Sequence, residues 1–180
     1  MLRITIPEKE YWDKVKEEFV YTKGCTLILE HSLVSLSKWE SKFNKPFLIK
    51  EEKTAEETIE YIKCMTLTQN VDPSVYNELT SENYQEINRY IESPMTATVF
   101  SKEQNRKTSG EQVTSELIYY WMIALNIPFE CQRWHLNRLL TLIKVCNIKN
   151  KTPEKRNVRD IMKRNSALNA ARRKKYNTRG

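Results

Sequence analysis

The nearest thing to a reactive constellation in this chain is Cys131 with His135, four positions apart and so on one face of a helix, with Glu130 beside them. The fold could bring Glu30 and His31 alongside, adding donors of the kind zinc accepts. A Cys/His pair without two further ligands defines no zinc geometry. The plainer reading is that both pack beside Trp134 and satisfy local hydrogen bonds, so no metal and no cofactor is assigned. The acidic pairs Glu17-Glu18, Glu51-Glu52 and Glu56-Glu57 could in principle do acid–base work, but they fall in segments that read as exposed helix faces or helix starts. A carboxylate at a helix start is already explained by the helix dipole. GxSxG, HExxH, phosphate-loop and dinucleotide patterns are absent, and three Gly in 180 residues leave little room for Gly-rich phosphate loops. The residues point away from an enzyme, and no catalytic residue is assigned.

Charge is the sharper signal. The chain carries 30 basic and 23 acidic residues, of which 11 basic and 2 acidic lie in 151–180, a net of +9; the first 150 residues, with 19 basic and 21 acidic, come to −2. The excess is a basic arm containing Arg156, Arg159, Lys163, Arg164, Arg172, Arg173, Lys174 and Lys175, with a thin apolar stripe of Val158, Ile161, Met162 and Leu168. Such an arm suits phosphate backbones, an acidic groove on a partner protein or an anionic surface, and equally a solvated tail. Aromatic interleaving, which single-stranded nucleic acid would favour, is absent apart from Tyr176.

The elements that would carry these residues are mostly helical. The expected architecture is mainly α (α+β): one domain over 1–150 built around an antiparallel helix hairpin, with a small amino-terminal β-sheet, and a basic carboxy-terminal helix in 151–180. The hairpin is expected between Ser109 and Asn150. Ser109 with Gln112 has capping-box spacing, and Val113, Leu117, Trp121 and Leu125 follow at helical intervals. The run Ile118–Leu125 is apolar or aromatic on every side, which predicts a helix buried all round or one with a side given to a partner. Asn126 closes it, Pro128 opens the second helix, and Leu136, Leu139, Leu140, Ile143 and Cys146 form that helix's inward stripe. The candidate core is Leu117, Trp121, Leu125, Leu136, Leu139, Leu140 and Ile143.

Elsewhere, Leu2, Ile4 and Ile6 alternate as a strand that pairs with a second at Cys25–Glu30, while Glu8–Phe19 reads as a helix or helical turn with Tyr11, Trp12, Val15 and Phe19 on one side. Ser32 starts a helix with Leu33, Leu36, Trp39 and Phe43 inward and Ser35, Lys38 and Lys42 facing water; Pro46 ends it, and Phe47–Ile49 is extended. Thr54 with Glu57 caps a helix over Ala55–Leu67, Asp72-Pro73 opens a short one, and Thr80 or Ser81 caps another carrying Tyr84, Ile87 and Ile91. Met95–Phe100 has strand-like content and could join the sheet, Ser101–Ser109 reads as a loop, Asn147–Lys155 as a polar linker, and Asn157 with Asp160 opens the last helix. Four Cys without CxxC spacing indicate neither a zinc knuckle nor a disulfide framework, and a reducing cytoplasm is the expected setting. The start lacks a secretory pattern and no segment reaches the roughly 18 apolar residues of a membrane span, so no membrane is expected.

The strand beginning at residue 2, the segment LEHSLVSLSKWESKF (Leu29–Phe43), the block SELIYYWMIALNIPFECQRWHLNRLLTLIKVCNIKN (Ser115–Asn150) and the end RNSALNAARRKKYNTRG together resemble small proteins of tailed-bacteriophage morphogenesis regions, tail assembly chaperones in particular. That resemblance implies a non-enzymatic protein of the host cytoplasm that binds the tape-measure and tail-tube proteins during virion assembly. The alternatives are a structural virion component, such as a head–tail connector or tail protein, or a nucleic-acid-binding protein using its carboxy-terminal arm. A homo-oligomer is compatible with either.

Overall fold

The computed structural model describes residues 1–13, 17–49, 51–100, 112–150 and 158–177. The chain is mostly helical with a small antiparallel sheet at its amino end, and divides into two compact units, Met1–Cys146 and Asn147–Gly180.

β1 (Leu2–Ile6) pairs with the strand at Cys25–Leu29 in the register Ile4↔Leu27, which turns Ile4, Ile6, Leu27 and Leu29 to the same buried face. Between them lies a second ladder, β2 (Lys9–Asp13) with β3 (Glu18–Thr22), so the Cys25–Leu29 strand is β4. In place of the helix expected across Glu8–Phe19, Lys9–Asp13 and Glu18–Thr22 thus form an antiparallel ladder, while Val15 of the expected stripe lies outside the described residues. Trp12 and Phe19 stand opposite each other with ring centroids 4.9 Å apart, an edge-to-face pair that stabilises the ladder although both rings are about half exposed. The ladders meet where Gly24 approaches β1 closely: a Cβ there would lie 3.1 Å from the Glu8 nitrogen and 3.2 Å from the Ile6 oxygen.

α1 (Leu33–Phe43) begins at Ser32, whose hydroxyl accepts from the Ser35 amide while the Ser35 hydroxyl accepts from the Ser32 amide. Ser35, expected in water, is buried because its hydroxyl also donates back to main-chain carbonyls at the end of β4 and at the cap. The helix ends at Asn44 in the left-handed conformation rather than at Pro46, and Phe47–Ile49, expected to be extended, is turn and bend. α2 (Ala55–Met65) carries the expected Thr54–Glu57 capping box and stops two residues short of the expected Leu67. The reason is β4. Glu30 donates to the Met65 carbonyl at 2.8 Å, Leu67 donates to the Ile28 carbonyl at 2.8 Å, and the chain at Thr66 becomes a third edge beside the sheet.

A 3-10 helix at Pro73–Glu78, capped by Asp72, leads into α3 (Ser81–Glu92), capped by Thr80 and packed against β1. Met95–Phe100 adds no strand; Thr66–Thr68 already occupies the free edge of β4. The Ser109 cap and the Ser101–Ser109 loop lie outside the described residues, and the next helix, α4 (Ser115–Ala124), is capped by Thr114. Asn126 does turn left-handed after it. Pro128 opens a 3-10 turn, Phe129–Arg133, and α5 begins only at Leu136 and runs to Asn150 through part of the expected linker.

The class expected from the sequence stands, but the organising element moves. α1 is the helix against which α2, α4 and the Phe129–Arg133 turn all pack. Leu36 and Trp39 are fully buried, and the Trp39 indole donates to the Glu57 carbonyl at 3.0 Å. Of the candidate core, Leu136, Leu139 and Ile143 are buried, whereas Leu117, Trp121, Leu125 and Leu140 are half-buried. α4 instead turns Ser115, Ile118 and Met122 inward, one residue round from the expected stripe.

Glu40, buried on α1, accepts from the Phe47 amide at 2.8 Å and from the Ser115 amide at 2.7 Å, joining the α1–α2 connection and the first turn of α4 to one carboxylate. Glu40→Ala leaves two main-chain donors without a partner and is expected to cost about 3 kcal/mol in urea unfolding; Glu40→Gln, which keeps one acceptor oxygen, should cost roughly half as much. Equal and small losses in both variants would contradict this role.

Candidate functional site

Three features of the described structure could do something: a buried polar cluster, an exposed apolar face and the basic helix. The cluster begins with His31, just before the α1 cap, and His135, just before α5. Their ring centroids lie 4.9 Å apart. The His31 carbonyl accepts from the Leu136 amide at 2.9 Å, which places the starts of the two helices side by side. His31 Nδ1 is 2.6 Å from the Tyr61 hydroxyl on α2, and His135 Nε2 is 2.9 Å from the Tyr90 carbonyl on α3. A carbonyl only accepts, so His135 carries its proton on Nε2, and its buried Nδ1 is left as an acceptor with no protein partner among the described residues.

The expected approach of His31 to His135 therefore occurs, but not as a metal set. Cys131 sits in the 3-10 turn, not one helical turn below His135, and burial followed by the charge of Glu130 pushes its thiol up, away from the thiolate a metal needs. Among the described residues no three His, Cys, Asp or Glu side chains are grouped to hold a metal ion. Burial, and secondarily the neighbouring His135, push His31 down to about 3. His135 is also lowered by burial, against an opposing bond to Tyr90. Burial raises Tyr61. All three are held neutral. Of the acidic pairs, Glu57 is the capping-box carboxylate of α2, held low by its Lys45 partner, and Glu51, Glu52 and Glu56 are exposed.

The exposed face belongs to α4. Opposite its buried residues, Tyr120 is 63% and Ile123 61% exposed, and Phe129 of the following turn, 54% exposed, stands 6.5 Å from the Tyr119 ring. The helix is thus not covered all round. The basic helix is α6 (Val158–Tyr176). Lys163, Arg164, Arg172, Arg173, Lys174 and Lys175 are all exposed, as are Met162 and Leu168 of the thin stripe. At 100° per residue the four consecutive cations from Arg172 to Lys175 surround the helix instead of marking one face. Arg159 stands in the first turn of α6; Arg156, with the 151–157 linker, lies outside the described residues.

No protein family, no curated protein and no solved structure matches the chain. Function must be argued from these surfaces. Among the described residues no helix is long and apolar enough to cross a membrane. Sequence reasoning missed Tyr61, Tyr90 and Asn137, whose amide donates to both the Ile91 and Ser93 carbonyls at 2.9 Å. Nothing local marks them, because each acts on a segment more than 25 residues away.

The neutral histidines give the fold a defined acid response. Unfolded, each imidazole takes a proton near pH 6.5; folded, His31 resists until about pH 3, so the unfolded state binds more protons in between and stability falls as pH drops below about 6.5. His31 alone should contribute a slope of about 1.4 kcal/mol per pH unit across that window. Urea unfolding at pH 7, 6 and 5 is expected to show that loss in the wild type and a flatter dependence in His31→Asn; parallel pH profiles would refute it.

Proposed function

We propose that this protein works through its surfaces as a non-enzymatic assembly factor of tailed bacteriophages, a tail assembly chaperone that holds the tape-measure and tail-tube proteins soluble in the host cytoplasm until the tail forms. The resemblance of its segments to such proteins suggests the setting. The observation that carries the reading is the uncovered face of α4, where Tyr120, Ile123 and Phe129 offer aromatic and aliphatic area to water while the opposite side of the same helix is locked into the core. An apolar surface held on a rigid helix suits the apolar stripe of a long helical client.

Tyr120→Asp with Ile123→Asp should remove capture of co-expressed tape-measure protein while leaving the unfolding midpoint within the spread of ordinary surface substitutions, about 0.5 kcal/mol. Wild-type protein that recovers neither tape-measure nor tail-tube protein from infected cells would defeat the proposal.

A second reading, a nucleic-acid-binding or structural virion component, is favoured by α6 alone. Cations that encircle a helix suit phosphates approaching from several sides better than a flat acidic patch. It predicts DNA or RNA binding that weakens with salt by about one log–log unit per phosphate contacted, and that disappears on truncation at Lys151. Undiminished binding by the truncated chain would dismiss it.

A further inference from the structure

Away from α4 and α6, a cavity of about 230 Å³ opens among α2, α3 and the segment joining α1 to α2. Its floor is Phe47, Tyr61, Ile62 and Ile87, all buried. Phe47 and Tyr61 are stacked with centroids 4.0 Å apart and planes 29° from parallel. Tyr61 cannot swing, because its hydroxyl is held by His31 behind it. The floor is therefore a preformed aromatic and aliphatic surface. At about 30 Å³ per water, the space equals some eight waters, room for one aromatic ring and a short substituent.

The mouth is polar and carries positive charge. Lys53 lies there with its ammonium 4.1 Å from the Phe47 ring centroid, and among the described residues no carboxylate comes within ion-pair distance of it. The nearby carboxylate of Glu57 is engaged by Lys45 and by the Thr54 amide. Burial holds the Lys53 pKa below its ordinary value, with Glu57 opposing the fall and Lys45 adding to it. Thr58 at the same mouth has its hydroxyl proton committed to the Thr54 carbonyl at 2.9 Å, so Lys53, the Asn88 amide and the Tyr84 hydroxyl are the side-chain donors left to face a ligand, and Lys53 alone of them is charged.

We propose that this cavity binds a small aromatic carboxylate, its ring on the apolar lining formed by Ile62, Ile87 and the edges of the Phe47–Tyr61 pair, and its carboxylate at Lys53. The apolar floor selects the ring, the volume limits the ligand to about ten non-hydrogen atoms, and the single cation at the mouth selects acid over amide or amine. The site shares no residue with the α4 face or with α6.

The test is a titration of the full-length, isotope-labelled chain with 3-phenylpropionate, followed by amide NMR shifts, with 3-phenylpropionamide as the neutral control. Saturable shifts confined to residues 47–62 and 84–91, a Kd below about 1 mM, and weakening by about tenfold or more for the amide would support the site. Lys53→Met should bring acid and amide to the same weak affinity. The proposal is overturned if the acid does not saturate by about 10 mM, a hundredth of the molar standard state, if acid and amide bind wild-type protein alike, or if the shifts map to the cations of α6. The acid–amide comparison is made on the wild-type chain and stands whatever the variant does to folding.

Discussion

A carboxylate taken out of water is tolerated only where fixed donors replace its hydration, and Glu40 shows what that requirement does to this fold. Its two oxygens are met by main-chain amides from Phe47 and from Ser115, 75 positions away. Beside it, Trp39 anchors α2 through the Glu57 carbonyl. Two adjacent residues on α1 thus hold the following connection, the next helix and the start of α4. The rest of the body is arranged around that helix because these bonds cannot be broken singly without stranding a buried charge or donor.

The same economy governs the other buried polar groups. His31, Tyr61, Tyr90, His135 and Ser35 bond to one another or to main chain; among the described residues His135 Nδ1 and the Ser115 hydroxyl are the buried side-chain atoms left without a partner. The interior therefore spends its polar chemistry on holding elements together. Among the surfaces that face outward are an aliphatic and aromatic face on α4, a ring of cations on α6, and an aromatic cavity with a lysine at its mouth. Each is suited to recognition, and the differences in their chemistry let each meet a different partner.

Much of the element layout was legible in the sequence because it is encoded over three or four residues. Ser32, Thr54 and Thr80 cap helices as their spacing required, Asp72-Pro73 opened a helical turn, and β1 found β4 through matched alternation. The failures share a cause. Tyr11, Trp12, Val15 and Phe19 mimic a helical stripe, yet Trp12 and Phe19 face each other across a β ladder that leaves both about half exposed, so no buried face enforced a period that could be read. Met95–Phe100 has strand composition but found the β4 edge taken by Thr66–Thr68. From Leu117 to Ala124 every position of α4 is apolar or aromatic, and composition cannot choose between Leu117 and Ile118.

By itself the sequence determined where α1, α2, α3 and the Pro73–Glu78 turn start, that a short sheet opens the chain, that helix dominates, and that positive charge gathers in the last thirty residues, since all of these rest on neighbours along the chain. Only the tertiary structure decided that α1 is the hub, that α4 buries Ser115, Ile118 and Met122 and leaves Tyr120 and Ile123 to solvent, that the two histidines meet, and that Lys53 stands over an aromatic cavity. Those outcomes depend on which distant group reaches a buried donor, acceptor or apolar face first, and a linear pattern carries no record of that competition.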